Sequence, residues 1–139
     1  MIYAVIDTNV LVSALFTRNV EAPTVKVLDA MLNGFIVPLY NKEIYDEYVE
    51  VLNRPKFHFS KGLIVQYLDV ILERGLFSRR VHSAESFPDP KDTVFYEVAL
   101  SKEDAYLVTG NAKHFPHTTI VVTPAEMLEI LKKQMGESY

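Results

Sequence analysis

The 139-residue chain contains no cysteine. That absence removes disulfide frameworks, thiolate metal sites and cysteine nucleophiles together, so any metal ion must sit on oxygen or imidazole ligands. Positive charge is not in excess either: 14 Lys and Arg against 18 Asp and Glu leave a net charge of −4. The molecule as a whole does not attract nucleic acid, and a polynucleotide would have to be held by local basic groups and by bound metal. Long apolar runs are missing as well. Met1 to Ile6 is apolar, but it carries no basic leader and Asp7 interrupts it before a signal-peptide core could form; no other stretch approaches the length of a bilayer span. A soluble cytoplasmic protein is the expectation. Neither an internal repeat, a low-complexity tract nor a domain linker is present. What the chain does have is 49% hydrophobic and 23% charged residues, enough apolar surface to offset the entropy of ordering it. At this length, one domain over residues 1–139 is expected.

Short apolar runs alternate with segments of helical spacing. Ile2 to Ile6 is continuous and rich in Val and Ile, as a strand buried on both faces would be, and it ends sharply at Asp7. Val10, Leu11, Ala14 and Leu15 then recur at helical intervals. A second helix is expected from Ala22-Pro23 to Gly34, and a second strand over Phe35 to Leu39. Asn41 is positioned to cap a helix running to about Asn53, and Ser60 one running through Leu72. Leu76 to Val81 is a weaker strand candidate. The turn-rich Phe87-Pro88-Asp89-Pro90-Lys91-Asp92 leads into Val94, Phe95, Val98 and Ala99 at helical spacing. Ala105 to Thr109 and Thr119 to Val122 read as strands, and Thr123-Pro124-Ala125-Glu126 is a capping-box start for a last helix. This alternation predicts an α/β fold, a mostly parallel sheet with helices on both faces. Ligands bind beyond the carboxyl ends of such strands, where Asp7 and Asn111 both fall.

Several acids compete for attention, each with a purely structural explanation beside it. Asp7 stands where a buried strand hands over to a helix, so its carboxylate either points into a cleft or caps that helix. On the third helix, Glu43, Asp46, Glu47 and Glu50 make a polar face. At about 100° per residue, Glu43 and Glu50 lie in its middle, whereas Glu47 lies toward Ile44 and Val51 and is placed to reach inward. Glu50 and Arg54 are spaced for a surface ion pair. Asp89 and Asp92 suit the cap and first turn of the following helix; that position also favours an ionised, cation-binding carboxylate. The histidines have no ligand-like spacing, which argues against a histidine–zinc site. Arg54, Lys56 and Lys61, with His58 among them, are read as solvated loop charges because no basic stripe continues from them; contact with phosphate is the alternative. Most Tyr and Phe fall at core spacings.

Taken in order, these pieces resemble the PIN-domain nucleases, and more narrowly the toxin components of toxin–antitoxin systems. Ile6-Asp7-Thr8-Asn9-Val10-Leu11-Val12-Ser13-Ala14 is similar to the family's opening motif, with Asp7 as its first metal-binding carboxylate. Glu47, in Ile44-Tyr45-Asp46-Glu47-Tyr48, resembles its acidic helix position. Asp92 matches the third acid, with Asp89 as a neighbour. Leu107-Val108-Thr109-Gly110-Asn111 resembles the fourth position, where much of the family has an acid and this chain has Asn111. The resemblance implies a three-layer α/β/α sandwich, a homodimer, RNA cleavage assisted by Mg²⁺ or Mn²⁺, and an inhibiting antitoxin partner. On that reading Asp7, Glu47 and Asp92 hold the ion, while Thr8 and Asn111 orient water or substrate. A PIN-like module that binds RNA or protein without cutting is the competing expectation, since a fold does not determine a function.

Overall fold

The computed structural model describes residues 1–136. Its elements run β1 (Ile2–Ile6), α1 (Thr8–Phe16), α2 (Pro23–Leu32), β2 (Ile36–Tyr40), α3 (Lys42–Leu52), α4 (Lys61–Arg74), β3 (Leu76–Phe77), α5 (Pro90–Ala99), β4 (Tyr106–Val108), β5 (Val121–Val122) and α6 (Pro124–Met135). Among the described residues the strands form one five-stranded sheet in the order β3-β2-β1-β4-β5. All four pairings are parallel, so the sheet is wholly rather than mostly parallel. Six helices flank it in an α/β/α arrangement.

β1 is central, and its residues show why: Ala4, Val5 and Ile6 are fully buried, as both faces of a helix-covered strand must be. The helices begin where capping chemistry places them. Asn41 accepts the backbone N–H of Ile44 at 2.9 Å, starting α3 one residue past β2. Thr123 and Glu126 form the reciprocal capping box of α6. Pro occupies the first turn of α2, α5 and α6, where its missing N–H costs nothing. Only Gly75 fits between α4 and β3, since a Cβ there would lie 2.2 Å from the Ile71 carbonyl and 2.9 Å from that of Pro38.

The strand expected over Leu76 to Val81 is cut to two residues, and the hydrogen bonds explain the loss. Ser78 N–H still reaches the Tyr40 carbonyl, but its hydroxyl turns back onto Leu76. By Val81 the backbone bonds to Glu97 of α5 rather than to the sheet. The remaining differences are shifts at element ends: β2 begins and ends one residue later than expected, β4 and β5 are shorter, and α4 runs on to Arg74.

The topology sets the place of a site. From β1 the chain moves outward to β2 and β3, then crosses back to β4 on the other side of β1, and continues to β5. Between β1 and β4 the winding reverses, which opens a crevice at the carboxyl ends of those two strands. Ile6 pairs with Val108, so Asp7 and Thr109 are the first residues over the rim.

Candidate active site

Asp7 occupies the N-cap position of α1, yet its side chain makes no capping hydrogen bond. The carboxylate is used elsewhere. Its Oδ2 accepts the Thr109 hydroxyl at 2.8 Å and the Asn9 amide at 3.1 Å. Asn9 in turn accepts the Gly110 N–H at 3.0 Å, and Thr109 Oγ1 accepts the Asn111 N–H at 3.0 Å. These bonds brace the β1–α1 junction against the end of β4 and hold one carboxylate, 6% exposed, at the base of the crevice.

Glu47 comes from α3, the one half-buried member of that helix's acidic set; Glu43, Asp46 and Glu50 are exposed. Thr8 donates its hydroxyl to Glu47 Oε2, so this threonine aligns an acid. The other acids have the partners of a solvated face. Lys42 binds Asp46, Arg54 binds Glu50 through two nitrogens, and Arg80 reaches both oxygens of Glu43. Beneath them, buried Tyr48 donates its hydroxyl to the Ile6 carbonyl and ties α3 to the residue before Asp7. Tyr48→Phe is expected to cost about 1–2 kcal/mol by removing that donor. A urea-denaturation midpoint equal to that of the parent would show the bond to be inconsequential.

Asp92 lies in the first turn of α5, half-buried, while Asp89 is exposed and caps the helix by accepting the Lys91 N–H at 2.9 Å. Capping is therefore the role the structure shows for Asp89. Asn111 is exposed past β4.

Electrostatics tie the three separated acids together. Burial lifts Asp7 from 3.8 to about 6 against the lowering effect of the Thr109 hydrogen bond, and the charges of Asp92 and Glu47 add to the rise. Asp92 is raised by burial first, then by Asp89 and Glu47, with His114 pulling it down. Positions 7, 47 and 92 thus repel one another across one crevice. Among the described residues, however, no group of three or more acids or histidines is gathered tightly enough to hold a metal ion as it stands. The donors are all hard oxygens, and among the described residues no basic side chain is hydrogen-bonded to Asp7 or Glu47 to offset the charge they concentrate. That chemistry fits a hard divalent cation.

A PIN-domain family model matches residues 3–113 of the chain. The chain belongs to the PIN-domain family. PIN domains are generally nucleases and usually use divalent metal ions, which supports a nuclease role for this one. No curated protein and no solved structure matches the chain. The matched span begins in β1 and ends just past Asn111, so it takes in the three acids and the bracing around Asp7.

Sequence reasoning gave no role to Thr109, Asn9 or Tyr48. Thr109 and Asn9 carried a usable signal, since each is a hydrogen-bonding residue within three positions of a predicted strand end. Tyr48 carried none, because a buried tyrosine on an apolar helix face looks like packing. A further missed group is Glu97 on α5, 5% exposed. It accepts the Ser83 N–H at 2.8 Å and Arg80 Nε at 2.9 Å. Burial works against its ionisation, but those bonds and the Arg80 charge hold it below the usual range.

Proposed function

We propose that this PIN domain is a divalent-metal-dependent endoribonuclease whose Asp7, Glu47 and Asp92 hold Mg²⁺ or Mn²⁺, directly or through water. The observation that carries the reading is the placement of three acids, Asp7 just past β1, Glu47 on α3 and Asp92 on α5, in each other's electrostatic field where the sheet reverses its winding. A divalent ion bound there supplies a Lewis acid for the phosphodiester and lowers the pKa of water. The protein's own part is positioning. Thr109 and Asn9 aim Asp7, Thr8 aims Glu47, and the first turn of α5 presents Asp92 with the helix dipole behind it. Asn111, neutral where much of the family has an acid, orients the RNA strand. Burial pushes the Asp7 carboxyl up to about 6, so a divalent ion held there would compete with its proton, and affinity is expected to strengthen as pH rises through about 6.

The same proposal extends to partners. The active form is a cytoplasmic homodimer and the toxin of a toxin–antitoxin pair, a reading supported by the resemblance of its motifs. Among the described residues, no helix is long and apolar enough to cross a membrane. A small reading frame directly upstream, co-expressed and co-purifying as an inhibitor, is the expected finding.

The test is cleavage and thermal stability together. With Mn²⁺ at a hundred times its dissociation constant, linkage predicts a gain of about 2.7 kcal/mol. RNA cleavage should appear with Mn²⁺ or Mg²⁺ and vanish in chelator. The neutral Asn111 and the open spacing of the acids favour a second reading, a module that binds RNA without cutting it. RNA binding with neither a metal-induced shift nor cleavage would establish that module and remove the nuclease.

A further inference from the structure

An acidic crevice repels the phosphates of its own substrate, so the strand needs a cationic hold nearby. Residues 51–68 include Arg54, Lys56, His58 and Lys61 and not one Asp or Glu, in a chain of net charge −4. This segment leaves the end of α3, the helix that carries Glu47. Arg54 lies two residues past the end of α3, in extended backbone, and folds back to pair with Glu50 on that helix. The charges of Glu50 and then Glu47 act on its guanidinium. Lys91, which lines a cavity with Glu47 and Phe95, lies in the field of Glu50. Basic groups thus border the path from the crevice to the loop.

The loop also has an unusual aromatic build. Phe57 and Phe59 stack face to face, centroids 4.9 Å apart and planes 4° from parallel. His58 between them has φ 54°, an uncommon left-handed conformation outside glycine, which brings rings two residues apart into register. Phe59 packs on the core, whereas Phe57 stands outside it and is half-buried. The Lys56 ammonium lies 5.2 Å from the Phe57 ring centre, a loose cation–π contact on a flexible stem. Arg54 is paired with Glu50, whereas among the described residues Lys61 bonds the neutral Asn53 side chain and no carboxylate. An aromatic ring propped on the core, flanked by cations, is the arrangement that binds unpaired nucleotides: the ring takes the base and the cations take the phosphates.

We propose that the loop from Arg54 to Lys61 is a docking site for an unpaired nucleotide of the RNA strand, its base stacked on Phe57 and its neighbouring phosphates held by Lys56 and Lys61. The proposal rests on the ribonuclease reading and deepens it, since it makes the substrate single-stranded at this point. On stacking, the base replaces the Lys56 ammonium over the ring, and the ammonium moves to the phosphate. Duplex RNA, whose bases are already stacked, has nothing to offer Phe57.

Binding is measured by fluorescence anisotropy in chelator, with the cleavage-deficient Asp7→Asn protein as background and a labelled single-stranded RNA oligonucleotide or its blunt duplex as probe. Adding Phe57→Ala is expected to weaken single-strand binding roughly 5- to 100-fold, the range for loss of one base–aromatic stack, whereas Phe57→Trp retains it. Lys56→Ala, a surface change that leaves the fold alone, should lower the slope of log K against log salt by about 0.7, the value for one single-strand phosphate contact. Single-strand binding unchanged by both Phe57→Ala and Lys56→Ala would overturn the proposal, as would equal affinity for the duplex. These readouts need no catalysis, so absence of cleavage in the parent protein would count against the nuclease reading alone.

Discussion

Asp7→Asn is expected to abolish cleavage and, at the same time, to make the metal-free protein more stable at neutral pH. The two effects have one cause. Asp7 is 6% exposed and faces the charges of Asp92 and Glu47, so its ionised form is disfavoured in the fold. Its folded pKa of about 6 lies above the ordinary 3.8. A folded state that binds the proton more tightly than the unfolded chain is favoured at low pH, and its advantage fades as pH rises from about 4 through about 6. Two units correspond to about 3 kcal/mol lost over that window. Asparagine keeps an oxygen for Thr109 and Asn9 and carries no charge, so the variant lacks this loss. Asp92, also raised by burial and then by Asp89, contributes in the same direction in both proteins. Denaturant titrations in chelator at pH 4 and pH 7.5 should therefore show the variant and parent alike at the lower pH and the variant ahead at the higher. Activity should fall by more than the roughly hundredfold that loss of an outer-shell partner alone can cost. Undiminished cleavage by a clean preparation of the variant would remove Asp7 from the mechanism.

Arg80→Ala carries the largest expected loss of stability. Arg80 binds Glu97 on α5 at 2.7 Å and Glu43 on α3 at 3.1 Å, so a single guanidinium clamps the two helices that bear Asp92 and Glu47. Its removal leaves a buried carboxylate with the Ser83 N–H and the His82 ring, 4.0 Å away, as its remaining partners among the described residues. Breaking a fully buried pair costs about 3–5 kcal/mol. Arg80 is 36% exposed, so water offsets part of that and about 2–3 kcal/mol is expected. For a chain of this size the melting temperature should drop by on the order of 10 °C. Arg80→Lys should recover only part, because an ammonium lacks the fork that spans both carboxylates. A drop under 2 °C for Arg80→Ala would show that the clamp contributes little.

The parts of the fold that could be read in advance are those written in local chemistry. β1 and the caps at Asn41, Asp89 and Thr123 depend on residues within four positions of one another, and each was found where the pattern placed it. Glu47 was separable from Glu43 and Glu50 because helix geometry alone assigns it a different angle. The clamp had no such signature. Arg80 lies in an irregular segment with no periodicity, and its partners are 17 and 37 residues away. The truncation of β3 has the same origin, since nothing local to Val81 announces that its backbone will bond to Glu97. The Asp7 carboxylate takes its partner Thr109 from 102 residues away, which no local pattern announces.

That last separation bears on how the protein is made. The central strand is paired on one side by β4, which is translated about a hundred residues after it. A nascent chain halted before β4 has Asp7 but neither the rim that orients it nor a closed crevice, and closing so long a loop is the slow step in assembling parallel sheets. The order of strands therefore acts as a timer: the rim that orients Asp7 takes shape only after β4 has been translated.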